Sequence, residues 1–336
     1  MRIWSKSELK QLLMEQTAYE PHGKASLKLR AAFKDEPLWK FSCSSRHARG
    51  RISISTNNIE LRHSVLHSLD RIGAAELSIT YIPTKETRKT NQDDWKDWLT
   101  SMVESPDLSH PIYLVPDTNF IMRRYASRLF QKMGEETFRS LNFLIPNLAI
   151  LEIEALYNRA NKAIEKCRES NRQTKLIKRG EALIATKELI FLREKGAAML
   201  SSGIGTREAD SFSRISGRGV TDMFLRKEIR DSSAVSGRRN IRFLTCDLMN
   251  ALAATAEGMI SYYFSRLDST IGVLSSETEP CLEQLSELIV DNATVFGEIT
   301  LVESLSSVKP KTMRFNGTWD GWELSDLLEE RIAEIE

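Results

Sequence analysis

Four acidic side chains, Asp117, Glu152, Asp222 and Asp247, stand at positions where the chain can do chemistry. Asp117 ends the run Ile112-Tyr-Leu-Val-Pro-Asp, whose apolar part reads as a buried strand of a parallel sheet. Its carboxylate therefore falls just past the strand's carboxyl end, where open α/β sheets place their ligands. Asp247 repeats that position after Ile241-Arg-Phe-Leu-Thr245. Glu152 is expected about one and a half turns into a helix that starts after Pro146. Asp222 follows Thr221, a natural N-cap, and is expected in the first turn of another helix. Two strand ends and two helix starts of a parallel sheet converge on one edge, so the four carboxylates can share a cleft.

Energetics decide what such a cleft would hold. Two carboxylates about 4 Å apart repel by roughly 4 kcal/mol at an effective dielectric near 20. Several together need a counter-charge to stay ionised. Hard oxygen ligands without His or Cys select Mg²⁺ or Mn²⁺ over zinc. An ion held by few protein oxygens keeps water, which can attack a phosphodiester. The expected cofactor is thus Mg²⁺ or Mn²⁺. Each acid alone has a plainer reading: an Asp after a strand is more often a helix cap, and the helix dipole favours acids in a first turn. Glu154 and Glu257 read as solvated helix residues, and Asp231 lies at the far end of the Asp222 helix. His63 and His67 have i,i+4 spacing but no third ligand nearby. The glycines of Gly203-Ile-Gly205 and Gly217-Arg-Gly219 follow no strand and make poor phosphate loops.

The elements that must position these residues alternate strand and helix from about 111 to 268. Leu141–Ile145 is a short strand stopped by Pro146, Leu148 onward is helical, and Met259–Phe264 is a further strand after a helix closed by Gly258. Residues 158–220 are expected as a polar helical insertion of two antiparallel helices that turn near Gly180 or just before it, followed by a Gly/Ser/Arg-rich loop from Ser201. Residues 1–105 read as a separate small α+β module. It comprises a helix at Ser7–Gln16, strands at Arg51–Ser55 and Ala75–Ile82, a helix at Ile59–Leu69, a polar linker at 83–94 and a helix at Trp95–Val103. A small C-terminal α+β region, 281–336, carries extended stretches at Thr300–Leu305 and Thr312–Phe315 and ends in an acidic helix over Leu324–Ile335.

A length of 336 residues, 41% hydrophobic, supports two or three domains. The formal net charge of +1 leaves any nucleic-acid site to local charge segregation. Four scattered cysteines form no CxxC or zinc spacing, and no apolar run reaches membrane-spanning length, so a reduced, cytoplasmic protein is expected. Basic residues cluster in the insertion (Arg159, Lys162, Lys166, Arg168, Arg172, Lys175, Lys178, Arg179), around Asp222 (Arg207, Arg214, Arg218, Arg226, Lys227, Arg230) and before the Asp247 strand (Arg238, Arg239, Arg242). Charge on polar helices is usually only a solvated face. Beside an acidic cleft it also lets a polyanion approach, and Arg214, Arg218 and Arg226 are expected to contact phosphates.

In order and context, Val115-Pro-Asp-Thr-Asn-Phe120, Ile145-Pro-Asn-Leu-Ala-Ile-Leu-Glu-Ile-Glu154, Thr221-Asp222 and Phe243-Leu-Thr-Cys-Asp-Leu-Met-Asn-Ala-Leu252 resemble a PIN-domain ribonuclease over residues 111–265. The resemblance implies a three-layer α/β/α sandwich around a parallel sheet. It also implies a four-acid metal site that carries onto Asp117, Glu152, Asp222 and Asp247, with Asn119 and Thr245 orienting carboxylates. The implied activity is metal-dependent endoribonuclease cleavage of single-stranded RNA in processing or decay, with a homodimer or a protein partner through a terminal region. The alternatives are a PIN-like RNA-binding or scaffold protein that does not cut and a structure-specific DNA nuclease. A phosphatase using Asp117 as nucleophile is disfavoured because that chemistry wants an acid where Asn119 stands.

Overall fold

Alternation of buried and exposed side chains at every second position, as in Leu27-Lys-Leu-Arg-Ala31, makes a strand with one wet face. The computed structural model describes residues 1–18, 24–31, 35–44, 47–74, 77–82, 88–90, 112–139, 141–166, 169–200, 218–232, 241–266, 278–304, 311–318 and 321–335. The chain opens with β1 (Arg2–Ser5), α1 (Lys6–Ala18), β2 (Lys24–Ala31), β3 (Glu36–Ser44), β4 (His47–Ile54) and α2 (Ile59–Arg71). Next come β5 (Leu77–Ile82), β6 (Arg88–Thr90), β7 (Tyr113–Pro116), α3 (Thr118–Met122), α4 (Tyr125–Met133), α5 (Glu135–Arg139) and β8 (Asn142–Ile145). They lead to α6 (Asn147–Lys166), α7 (Glu169–Glu194), β9 (Ala198–Met199), α8 (Arg218–Asp231), β10 (Ile241–Thr245), α9 (Leu248–Ala256) and β11 (Ile260–Arg266). The last part holds α10 (Thr278–Phe296), β12 (Glu298–Ser304), β13 (Lys311–Asn316), α11 (Leu324–Leu328) and β14 (Arg331–Ile335).

The chain divides into two compact units, one of Met1–Glu76, Tyr157–Lys187 and Asp268–Glu336, the other of Leu77–Leu156 and Glu188–Leu267. The first unit is built on an antiparallel sheet in the order β1-β14-β13-β12-β2-β3-β4. Its core gathers Leu9 and Leu13 of α1, Val65 and Leu69 of α2, Ile177 and Ile184 of α7, and Leu285, Leu288 and Ile289 of α10 with the sheet's Leu29, Trp39, Phe41 and Phe315. Helix α10 is buried on every side from Leu285 to Phe296, as a central helix must be.

The second unit contains a mixed sheet, β6-β5-β11-β10-β7-β8-β9. Strands β11, β10, β7, β8 and β9 run parallel, while β5 and β6 add antiparallel at one side. Helices flank the parallel strands. Phe120, Tyr125 and Phe264 meet with ring centroids 5.0–5.6 Å apart and fill the space behind β7 and β11. The fold class is thus α/β with a flanked parallel sheet, plus a separate antiparallel sheet.

Several expectations change. Residues 1–105 do not form a separate module from 281–336: β2 pairs with β12 and β1 with β14, so both ends of the chain complete one sheet. The strand expected at Ala75–Ile82 belongs to the second unit, as β5 beside β11. The insertion does not turn at Gly180, which lies inside α7; a Cβ there would strike the backbone of Thr294 and Val295, so glycine permits the close approach of α7 to α10. Strands β2 and β3 were not anticipated, although Leu27, Leu29 and Ala31 carry the period of two. The terminal acidic helix ends at Leu328; Glu330 turns the backbone at φ 56°, and Ile332 and Ala333 are buried in a strand instead. The helix expected at Trp95–Val103, most of the linker at 83–94 and the loop from Ser201 to Gly217 lie outside the described residues.

Candidate functional site

The carboxyl ends of β7 and β10 position two of the four acids. These strands are parallel neighbours, with Phe243 opposite Val115 and Leu244 opposite Pro116. Strand order reverses between them, because β8 and β9 continue on one side of β7 and β11 lies beyond β10 on the other. Such a reversal opens a crevice outside the carboxyl ends. Asp117 and Asp247 both stand there. The Asp117 amide donates to the Leu244 carbonyl at 2.9 Å, so the residue is fixed to the neighbouring strand before its side chain does anything. Its carboxylate, 2% exposed, caps α3 by accepting from the Phe120 amide at 2.7 Å.

One hydroxyl ties the two strand ends together. Thr245 Oγ1 donates to Asp117 Oδ2 and accepts from the Asp247 amide at 3.0 Å, which a hydroxyl can do at once. Asp247 then caps α9, accepting from the amides of Met249 at 2.8 Å and Asn250 at 3.2 Å. Glu152 reaches the same turn from α6. Its Oε2 accepts from Thr118 Oγ1 at 2.6 Å, and Thr118 directly follows Asp117. Asp222 is held by the amide of Asn250, three residues after Asp247, at 3.4 Å.

The electrostatics follow from this gathering. Burial pushes the Asp117 carboxyl up to about 7 against the pull of its Thr245 and Phe120 hydrogen bonds, and the charges of Asp222 and Glu152 add to the rise. Burial pushes Asp222 up to about 6, helped by Glu152 and Asp247 and opposed by Arg226. Asp222, Glu152 and Asp247 therefore each raise the carboxyl of a neighbouring acid.

The surrounding scaffold contains residues that pattern reading missed. Thr118, rather than the expected Asn119, orients a carboxylate from this turn, donating its hydroxyl to Glu152; Asn119 is exposed. Asn250 bridges α9 to α8, because its side-chain oxygen also accepts from Arg226 Nη1 at 2.5 Å. Glu228, buried on α8, caps α6 by accepting from the amides of Asn147 at 3.0 Å and Leu148 at 2.9 Å. Helices bearing Asp222 and Glu152 are thus joined at the start of α6. A buried acid on an otherwise polar helix leaves no periodic signal, so Glu228 could not be told from a solvated residue.

Three expected features are placed differently. Helix α8 starts at Arg218, so Thr221 is not its N-cap and Asp222 lies in the second turn. Arg226 is 8% exposed; its Nε donates to Glu257 at 2.8 Å, and with Asn250 this commits the guanidinium inside the protein rather than to a phosphate. Glu257 is correspondingly a partner of Arg226, not a free solvated acid. Arg214, Arg238 and Arg239 and the side chain of Arg218 lie outside the described residues. His67 sits 3.3 Å from Glu181, as its hydrogen-bond partner within the first unit, and His63 is exposed.

The donor chemistry suits a hard divalent cation: the four candidate ligands are carboxylates, two of them resisting ionisation, with the partly buried thiol of Cys246 next to Asp247 in the chain. Among the described residues, however, no group of three or more His, Cys, Asp or Glu is already arranged to hold a metal ion. Asp117 spends both oxygens, on the Phe120 amide and the Thr245 hydroxyl, while Glu152 and Asp247 each spend one on a threonine or on backbone amides; a carboxylate has about four acceptor sites and keeps others open.

Comparison with family models and with curated proteins finds no match to the chain. Among solved structures, a domain of a functionally unknown protein from Methanocaldococcus jannaschii DSM 2661 is similar at 18% identity and a TM-score of 0.34, over 47% of this chain and 94% of that one. Among the described residues no helix is long and apolar enough to cross a membrane.

Proposed function

We propose that the second unit is a PIN-like nuclease, a three-layer α/β/α sandwich that hydrolyses phosphodiester bonds in single-stranded RNA with Mg²⁺ or Mn²⁺. The observation that carries this reading is the pairing of Asp117 and Asp247 at adjacent strand ends through Thr245, at the reversal of strand order. Glu152 joins through Thr118 and Asp222 through Asn250. These four acids would hold the ion, which when bound supplies Lewis acidity to phosphodiester hydrolysis.

The chain's own residues do the positioning. Thr245 orients Asp117 and fixes the Asp247 backbone, Thr118 orients Glu152, and Asn250 with Arg226 sets Asp222. Burial of Asp117 excludes water and keeps the carboxylate dependent on a counter-charge. Exposed Leu248 and Met249, which follow Asp247, offer apolar surface on which an unpaired base can rest.

The test is cleavage of a labelled unstructured RNA with Mn²⁺. Asp117→Asn should lose more than about 100-fold in rate, since loss of mere supporting partners of metal ligands costs 10–100-fold. The variant should still fold and bind RNA. Cleavage at the unaltered rate refutes the site. The second reading, RNA binding without cleavage, is favoured by the carboxylates not standing as a ready ligand set. It predicts that the unaltered protein binds RNA and leaves it intact at any Mg²⁺ or Mn²⁺ concentration.

A further inference from the structure

The antiparallel sheet of the first unit has one face packed on helices and one face in solvent. Its register sets the wet face out in rows. Thr312, Val302, Lys28, Lys40 and Ser53 lie side by side across β13, β12, β2, β3 and β4. Arg314, Thr300 and Arg30 form the neighbouring row, and Ser42 stands opposite Arg51 in another. Lys28, Lys40, Ser42, Arg51 and Ser53 are all exposed.

Lys28 and Lys40 are directly opposed cross-strand partners. Like charges in that position, with Cβ atoms about 4.5–5.5 Å apart, destabilise a sheet. Two features remove the ordinary explanations. Both strands lie inside the sheet order, so the lysines are not there to blunt an exposed edge. Nor are they neutralised: Arg30 pairs with Asp35 and Arg314 with Glu298, whereas Lys28, Lys40 and Arg51 have no acidic partner among the described residues. Five cations thus face two carboxylates, and the three unmatched cations are contiguous. The side chains around them are short hydroxyls and one valine, which leave the charged ends standing clear and supply donors for phosphate oxygens or a 2′-hydroxyl.

We propose that this open sheet face binds the phosphate backbone of single-stranded RNA through Lys28, Lys40 and Arg51. A polyanion is the ligand that turns the Lys28–Lys40 repulsion into attraction. Ile3, on β1 at the far side of this face, is exposed, but among the described residues no large exposed apolar side chain stands beside Lys28, Lys40 or Arg51. The cationic end thus offers phosphate contacts without the apolar surface that enters a membrane. The choice of RNA over DNA rests on the reading of the acidic site; the binding surface itself does not.

The experiment uses the full chain in EDTA, so that cleavage plays no part, with fluorescence anisotropy of a short labelled unstructured RNA and the same sequence as DNA. Lys28→Ser with Lys40→Ser should weaken RNA binding several-fold and reduce the log–log salt slope by about 1.4, roughly 0.7 per lost phosphate contact. Lys28→Arg with Lys40→Arg should restore both. The serine variant's unfolding midpoint should hold or rise, because repulsion is removed, which separates lost contact from lost fold. Unchanged affinity and slope, no RNA binding by the unaltered protein, or stronger binding to the DNA overturns the proposal. Failure of the nuclease reading shows separately, as unimpaired cleavage by Asp117→Asn.

Discussion

The first unit and the acidic cleft of the second treat buried charge in opposite ways. In the first, Arg71 and Asp291, 1% and 4% exposed, form a bidentate pair at 2.7 Å, and Ser68 takes a further guanidinium hydrogen at 3.0 Å. Glu330 is shared by Lys6 at 2.7 Å and Lys187 at 2.6 Å; although burial opposes it, these ammonium groups hold the carboxyl down at about 2. In the second, Asp117 and Asp222 are pushed up to about 7 and about 6 among other carboxylates, and the nearby Arg226 is already engaged by Glu257 and Asn250. A buried charge that has its partner is costly to strand, whereas the carboxylates gathered at the strand-order reversal would, on the proposed nuclease reading, take their counter-charge from a bound cation.

The contrast can be broken most severely in the first unit. Asp291→Ala strands a buried guanidinium and should cost about 3–5 kcal/mol in urea unfolding, whereas replacing both partners by apolar residues should recover most of that loss. A loss below about 1 kcal/mol would mean that the pair is not a structural one. In the second unit, Thr245→Val leaves a buried Asp117 oxygen and the Asp247 amide without their partner, so it should cost about 1–3 kcal/mol of stability. It should also slow RNA cleavage about 10–100-fold, with recovery of both in Thr245→Ser. Equal cleavage by the valine variant would remove the hydroxyl from the argument.

The gentlest test is pH. An acid whose folded pKa is raised binds more protons when native, so it makes the metal-free protein less stable as pH rises from about 4 to about 7 for Asp117 and to about 6 for Asp222. Glu330 acts in reverse: its stabilisation is complete above its unfolded value of 4.5 and is lost as pH falls toward about 2. Unfolding midpoints measured in EDTA should therefore fall from pH 4 to 7 less steeply in Asp117→Asn than in the unaltered protein. Mg²⁺ should oppose the fall only in the unaltered protein. Identical profiles would show that Asp117 is not the group that resists ionisation.

Local pattern made much of the second unit readable. The apolar runs before Asp117 and Asp247 became β7 and β10, the helix after Pro146 carries Glu152 in its second turn, and Gly258 takes the positive φ of 88° that follows α9. Each depends on residues adjacent in sequence. The first unit resisted because its sheet joins residues hundreds of positions apart, such as Trp4 beside Ile332, and no local periodicity records a partner. Arg226 looked like a free cation for the same reason: Glu257, 31 residues away, was invisible as its partner until the chain folded.

The sequence by itself determined that four acids follow strand ends or lie early in helices, since side-chain period and breakers act over a few residues. Only the tertiary structure decided that Thr118, Thr245 and Asn250 hold those acids, and that Lys28 faces Lys40. Hydrogen bonds and cross-strand neighbours are set by register and strand order, which emerge when distant segments bury their apolar faces together.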